Sequence, residues 1–210
     1  MGNRTKLALA VSLGMILNAL ILGGCAADKP TRLYVLSALA PKPASTSPRG
    51  VAIGIGPITL PKYLDRPQMV TSVSSNQMSQ ANFDQWGGDL NDNMTRVLAD
   101  NLSNLLATDR VSLYPWKDRA PIEYQITLDV TRFQQEADGS TILSAFWSIV
   151  AAKDGTVLMM RRSSYRDATG SPTQDPTNPG RLYDATAAAM SRDLESLSRD
   201  IADAITHLKR

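Results

Sequence analysis

The residues that most often carry catalysis and metal binding are nearly missing from this chain of 210 residues. It has one cysteine, Cys25, and one histidine, His207, so no second thiol or imidazole is available for a metal site or an activated nucleophile. No Gly-x-Ser-x-Gly turn occurs either. His207 falls in the last turn of a predicted helix, where an imidazole interacts favourably with the helix dipole. The sequence therefore predicts a protein that is not an enzyme and that has no metal or cofactor.

The chain also lacks a surplus of charge. Its 22 basic and 20 acidic residues leave a formal charge of +2, and two of the basic residues, Arg4 and Lys6, stand at the N-terminus. Without those two the charge is near zero, and no run of basic residues follows that would neutralise phosphates. Nucleic acid is therefore not expected as a partner.

What the chain does have is an N-terminus built like a secretion signal. Arg4 and Lys6 precede an apolar run, Leu7–Leu22, and two small residues, Gly23 and Gly24, come before Cys25. The segment Leu22-Gly-Gly-Cys25 resembles the lipobox of bacterial lipoprotein precursors. The resemblance implies removal of residues 1–24 and acylation of Cys25 with diacylglycerol and palmitate-like chains, which would anchor the protein in a membrane.

A transmembrane helix is the alternative interpretation of this segment. About 20 apolar residues are needed to cross a bilayer, and this run is shorter and contains Ser12 and Asn18. No aspartate follows Cys25 directly, which resembles lipoproteins sorted to the outer membrane. We therefore expect a periplasmic protein anchored in the outer membrane, with inner-membrane retention as the alternative.

The mature chain is predicted to consist of a short tether, residues 25–31, and one domain, residues 32–210. Its first strand is predicted at Leu33–Leu36, followed by an exposed linker rich in Pro, Ala and Ser over residues 38–48. Val51–Gly56 predicts a buried strand that Pro57 ends. The glycines at 54 and 56 would suit a phosphate loop, but no third glycine and no Lys-Ser/Thr follow, so close backbone packing or a bulge is favoured.

Two helices and six further strands are predicted after this point. Gln68–Val73 and Asn76–Phe83 suit a hairpin, and Val111–Tyr114 a short strand. Ile122–Arg166 suits a three-stranded antiparallel meander with turns at Asp138-Gly139 and Asp154-Gly155.

Apolar residues at spacings of three and four predict a helix over Leu90–Leu106, with Asp84 or Asp89 as its N-cap. A last helix is predicted to begin near Asn178-Pro179. A coiled coil is the alternative for that helix, but its short apolar stripe favours packing on a sheet. The predicted fold class is α+β, with a mixed or mainly antiparallel sheet covered by two amphipathic helices.

Aromatic residues form three groups that suit either core packing or recognition of a partner. Phe83 and Trp86 precede the first helix, and Trp116 ends the sequence Tyr-Pro-Trp. Phe146 and Trp147 are adjacent on a predicted strand, so their rings must lie on opposite faces.

Several segments together resemble the PqiC/YmbA-type auxiliary lipoproteins of ABC transporters. The most specific of them is Leu60–Thr71, within the sequence Ile-Gly-Pro-Ile-Thr-Leu-Pro-Lys-Tyr-Leu-Asp-Arg-Pro-Gln-Met-Val-Thr. Others are Tyr34-Val-Leu, the Tyr-Pro-Trp segment and Leu194-x-x-Leu-Ser-Arg-Asp-Ile201.

The resemblance implies a non-catalytic component of an ABC transport system that contains an MCE-domain protein and moves lipids or other hydrophobic molecules across the envelope. It also implies a ring-like homo-oligomer. The stiff segment Leu60–Pro67 would suit either a partner contact through Tyr63 and Arg66 or a structural crossing between strands. Phe83, Trp86 and Trp116 are further candidates for a partner contact. A structural or assembly lipoprotein of the outer membrane, without a transport partner, is the alternative function.

Overall fold

The computed structural model describes Gly2 and residues 29–41, 50–116, 121–169 and 180–208. The chain divides into two units, Met1–Pro30 and Thr31–Arg210, and only Gly2, Lys29 and Pro30 of the first are described. The predicted signal peptide and Cys25 therefore lie outside the described residues. Within the described ranges, no helix is both long and apolar enough to cross a bilayer.

The second unit contains eight strands and two α-helices, which confirms the predicted α+β class. The elements in chain order are β1 (Arg32–Tyr34), β2 (Ile53–Thr59), a 3₁₀ turn (Lys62–Leu64), β3 (Gln68–Ser74), β4 (Gln77–Trp86), α1 (Leu90–Leu106), β5 (Val111–Leu113), β6 (Tyr124–Gln135), β7 (Ser140–Ala151), β8 (Val157–Ala168) and α2 (Gly180–Leu208).

All eight strands belong to one mixed sheet, organised around the long strand β6. One side of β6 pairs in parallel with β2 and, at its far end, with β3, while its other side pairs antiparallel with β7. Strand β4 pairs antiparallel with β3 on one side and in parallel with β1 on the other, and β5 pairs in parallel with β2. Three strands are therefore sheet edges within the described residues: β1, β5 and β8.

The predicted alternation along β6 is confirmed. Ile126, Leu128 and Val130 are buried in the core, whereas Asp129 between them is exposed. The pairing register with β7 shifts after Val130, so the alternation of buried and exposed residues moves by one position. Phe133 is therefore the next core residue along the strand. Both α-helices pack on this side of the sheet, with α1 against β2 and α2 against β7 and β8.

The predicted hairpins are confirmed as well. β6, β7 and β8 form an antiparallel meander, and Gly139 and Gly155 adopt the positive φ values of 83° and 75° that these tight turns require. β3 and β4 pair antiparallel across the turn at residues 75–76.

The prediction that Pro57 ends the second strand is wrong, because β2 continues to Thr59 through a cis Gly56-Pro57 peptide. Its register against β6 shifts between Ile55 and Ile58, as at a β-bulge. At such an irregularity a residue is left out of the ladder, so a proline without an N–H is tolerated.

The chain after β1 is bound to both helices rather than extended into solvent. Asn93 and Asn101 of α1 accept hydrogen bonds through Oδ1 from the backbone N–H groups of Leu36 (2.9 Å) and Leu39 (2.7 Å). Ser191 of α2 accepts one from Ser37 N–H at 3.0 Å. Ala38 and Leu39 are half-buried, so the first residues of the predicted exposed linker are packed, while residues 42–49 lie outside the described ranges.

Candidate partner-binding surfaces

The segment Leu60–Pro67, predicted as a contact loop, is partly a structural crossing between β2 and β3. Tyr63 is half-buried against the core, and its hydroxyl donates to Oε1 of Gln134 on β6. Burial raises the pKa of Tyr63 above its ordinary value. Arg66 is exposed and donates to Oε1 of Gln80 at 2.9 Å. The Arg66 side chain is therefore accessible to a partner, while the Tyr63 side chain packs against the core and is only partly accessible.

The structure separates Phe83 and Trp86. Trp86 lies in the hydrophobic core with 5% of its surface exposed, so its ring is not open to a partner. Phe83 points away from the core and is 37% exposed. Of this pair only Phe83 belongs to the surface.

Trp116 and Tyr114 form an aromatic pair over the two glycines of β2. Their ring centroids are 5.5 Å apart in an edge-to-face arrangement. A Cβ added to Gly54 would lie 2.7 Å from the Trp116 ring, and one added to Gly56 would lie 2.7 Å from Cβ of Tyr114. The predicted close packing at these glycines is confirmed, because any larger side chain would displace the aromatic pair.

A surface groove of about 330 Å³ lies beside this pair. It runs between the bulge of β2 and the first half of α1, and Asn91 closes one side by donating Nδ2–H to the carbonyl of Ile58 at 2.8 Å. Arg96 and the half-exposed Tyr114 stand at its rim. Sequence reasoning missed this groove because its walls come from three segments that are distant along the chain.

A buried ionic cluster fixes strand β1. Arg32 donates from Nε and one terminal nitrogen to both carboxylate oxygens of Asp84, each at 2.7 Å, and the Tyr34 hydroxyl donates to Asp84 Oδ1 at 2.8 Å. Burial, reinforced by the bond to Asp84, raises the pKa of Tyr34 to about 12. Gly180 lies beneath this cluster, where an added Cβ would meet Arg32 at 2.8 Å. The first residue of α2 and the first strand are thus held together.

The sheet face opposite the helices carries exposed apolar residues. Phe146 is 43% exposed on this face, whereas the adjacent Trp147 is buried and donates Nε1–H to Oγ of Ser163 at 3.0 Å. This confirms that the two rings lie on opposite faces. On the neighbouring strand β8, Leu158 and Met160 are also exposed.

No group of three or more potential metal ligands lies close together in the ranges that the structure describes.

Residues 34–202 match the family model of the ABC-type transport auxiliary lipoprotein component. The chain belongs to this family. The match runs from Tyr34 in the β1 cluster to Ala202 in α2, so it includes the surfaces described above apart from Arg32. Auxiliary lipoproteins of this family are non-catalytic envelope components of ABC transport systems, in agreement with the scarcity of catalytic side chains.

Solved structures share the fold of this auxiliary lipoprotein at low sequence identity. An uncharacterised protein is similar with a TM-score of 0.66 and 18% identity over 84% of this chain and 99% of its own. A protein from Xanthomonas campestris of the DUF330 family is similar with a TM-score of 0.63 and 14% identity, over 81% of this chain and 92% of its own. No curated protein sequence gives a significant match.

Proposed function

We propose that this auxiliary lipoprotein is anchored in the outer membrane by acyl chains on Cys25 and serves an ABC system that includes an MCE-domain protein. In this role it would dock the MCE protein on the periplasmic side, so that lipids or other hydrophobic molecules pass between the membranes. The observation that carries the proposal is the family match over residues 34–202. The lipobox-like segment Leu22–Cys25 supports the anchor.

The anchor is tested by Cys25→Ser. A serine has no thiol to receive diacylglycerol, so we expect an uncleaved precursor that incorporates no labelled palmitate. Fractionation of the wild type on a density gradient then assigns the anchor to the outer or the inner membrane. A Cys25→Ser protein that still matures and fractionates with the outer membrane would refute lipid attachment at this residue.

The groove beside Tyr114 is the surface that best suits a protein contact. It combines an exposed ring, a guanidinium group and an apolar floor, and aromatic and arginine side chains commonly dominate interface energies. Arg66, Phe83 and Trp116 are further exposed or half-exposed candidates. Trp86 drops out of the set because it is buried.

The partner is tested by co-purification with an MCE-domain protein encoded beside the gene of this protein. Tyr114→Ala combined with Arg96→Ala is expected to weaken the complex about tenfold or more, because both side chains stand at the rim of the groove. Arg181→Ala, an exposed arginine on α2, is the matched control and is expected to bind normally. Normal binding by the groove variant would place the contact elsewhere, and no binding by the wild type would favour a structural lipoprotein without a transport partner.

A ring-like homo-oligomer is part of the proposal. Rings arise from head-to-tail contacts between two different patches of one subunit. Exposed apolar residues occur at two separate places on this sheet, at Leu33 and Val35 in and just after β1 and at Val73 and Met78 in the β3–β4 hairpin. Sedimentation equilibrium of the detergent-extracted protein tests the ring, and a monomer at all concentrations would refute it.

A further inference from the structure

Strand β8 is a long edge of the sheet that no other described strand covers. It spans 12 residues, Val157–Ala168, and pairs with β7 alone, whereas the other two edge strands, β1 and β5, have 3 residues each. Along its outer side, backbone N–H and C=O groups meet no other described strand. Such an edge is a template for pairing with a further strand.

Two features that normally prevent such pairing, proline and lysine, are missing from β8. Its charged residues are three arginines and one aspartate, and its only irregularity against β7 falls near its first residues. The exposed side chain of Met160, which lies opposite Ser148 of β7, is on the same sheet face as Phe146. An added strand would therefore gain both backbone hydrogen bonds and apolar contacts.

Two adjacent arginines give this edge its chemical specificity. The Arg161 guanidinium lies 6.0 Å from the ring centre of Trp147, and that of Arg162 lies 5.5 Å from the ring centre of Phe146. The two side chains thus lie on opposite faces of the strand. Both are exposed, and neither forms an ion pair with a carboxylate of the described residues.

Arg166, on the same strand, shows what such an arginine does when a carboxylate is near. It donates to Oδ2 of Asp138 at 2.7 Å. The aromatic rings hold Arg161 and Arg162 in place at the edge while leaving their N–H groups available.

We propose that β8 binds an extended, acidic segment of another protein as an added strand. Successive residues of a strand point to opposite faces, so two adjacent acidic residues in that segment would reach both arginines, one on each face. Charge-assisted bonds between guanidinium and carboxylate groups would then select this segment over other extended chains. The site depends only on β8 and its arginines, and does not require that the partner be an MCE-domain protein.

A second copy of this chain is a poorer occupant. Its other two edge strands have the sequences Arg-Leu-Tyr and Val-Ser-Leu, which contain no acidic residue. Self-pairing of two β8 edges would bring together strands that each carry three arginines and one aspartate. Charge therefore favours a different, acidic protein.

The test uses the detergent-extracted protein and fluorescent eight-residue peptides that alternate Thr and Val around a central pair. The central pair is Asp-Glu in the probe and Lys-Lys in its counterpart, and a third peptide carries proline beside Asp-Glu to block strand pairing. We expect only the first peptide to bind with measurable anisotropy change. Equal binding of the Lys-Lys or the proline peptide would overturn the proposal, as would no binding of the Asp-Glu probe.

Variants then locate the site. Arg161→Glu with Arg162→Glu is expected to weaken binding of the Asp-Glu probe at least about tenfold, because attraction between the side chains becomes repulsion at both positions. Arg181→Glu, a charge reversal at an exposed arginine of α2, is expected to leave binding unchanged. The double Gln variant is the second choice if the Glu variant does not fold, with a smaller loss expected. Unchanged binding by the folded double variant would refute the site.

Hydrogen exchange tests two other possible occupants of the β8 edge, another segment of the same chain and a second copy of the protein. In the free protein at low concentration, we expect the outward-facing amides of β8 to exchange fast and to become protected when the probe binds. Protection of all β8 amides in the free protein would show that the chain already covers its own edge. Loss of self-association in the double arginine variant would show that a second copy occupies it. Either result would overturn the proposal.

Discussion

Asp193 is a carboxylate in the middle of α2 with 1% of its surface exposed. Its Oδ2 accepts a hydrogen bond from the Thr141 hydroxyl of β7 at 2.6 Å. Burial, reinforced by the nearby charge of Asp167, raises the pKa of Asp193 to about 6. The Thr141 bond and the charges of Arg192 and Arg166 act in the opposite direction but do not compensate. Replacing this carboxylate by the neutral amide in Asp193→Asn therefore removes an unfavourable charge.

The sign and size of the effect follow from the shifted pKa. The folded protein binds this proton more tightly than the unfolded chain does, so between about pH 4 and pH 6 stability falls as the pH rises. A shift from 3.8 to about 6, at about 1.4 kcal/mol for each pKa unit, corresponds to about 3 kcal/mol at full ionisation. The asparagine keeps a carbonyl oxygen for the Thr141 hydroxyl. We therefore expect the free energy of unfolding of the variant to equal that of the wild type near pH 4 and to exceed it by about 2–3 kcal/mol at pH 7.5.

The measurement is urea unfolding of wild type and Asp193→Asn at pH 4, 5, 6 and 7.5. The difference between the two free energies of unfolding isolates Asp193, because all other titrating groups are shared. Asp203→Asn is the matched control for the substitution itself, since Asp203 is exposed on the same helix. A difference for Asp193→Asn that stays constant across the range, or an asparagine variant less stable at pH 7.5, would refute the reasoning.

Two further predictions concern the core and the β1 cluster. Leu128→Asp places a charge among buried side chains and is expected to lower the free energy of unfolding by about 3 kcal/mol or more, whereas Thr127→Asp on the opposite face should cost less than about 1 kcal/mol in the same urea experiment. Equal losses would show that the register of β6 is mistaken. Arg32→Met leaves the Asp84 carboxylate, which is 4% exposed, without its bidentate partner and is expected to cost about 2 kcal/mol. Tyr34→Phe removes one hydrogen bond of the same cluster and should lower the free energy of unfolding by about 1 kcal/mol. An Arg32→Met variant as stable as wild type would show that the ion pair contributes nothing.

Local patterns predicted local structure well in this chain. The alternation along β6 and the Asp-Gly turns were sufficient to predict the β6–β8 meander, because the residues that form each strand and turn are neighbours in sequence or in one hairpin. Pro57 misled the prediction for the opposite reason. Whether a strand tolerates a proline depends on the partner strand, and the bulge that accommodates Pro57 involves β6, about 70 residues further along the chain.

The choice between Asp84 and Asp89 as helix cap shows the same limit. Both are aspartates just before an apolar stripe, so the sequence left the choice open. Asp89 is the cap, accepting a hydrogen bond from the Asp92 N–H at 3.1 Å. Asp84 is instead buried against Arg32, 52 residues earlier in the chain. Trp86 was assigned to the candidate surface for a similar reason, since an aromatic residue before a helix suits a core and an interface equally well.

The asparagines of α1 carry a signal that sequence reasoning did not use. Asn93 and Asn101 interrupt the buried side of an amphipathic helix, where an unpaired amide would cost free energy. Buried amides must therefore have partners, and a neighbouring helix or strand in regular structure has few backbone groups to spare. The natural partner is chain without regular structure, and both residues bind the segment that follows β1. Asn101 also donates to Oγ of Ser198 at 3.1 Å, so one side chain joins this segment to both helices. The buried positions of Asn93 and Asn101 thus indicate that irregular chain packs against α1, although only the structure identifies which chain it is.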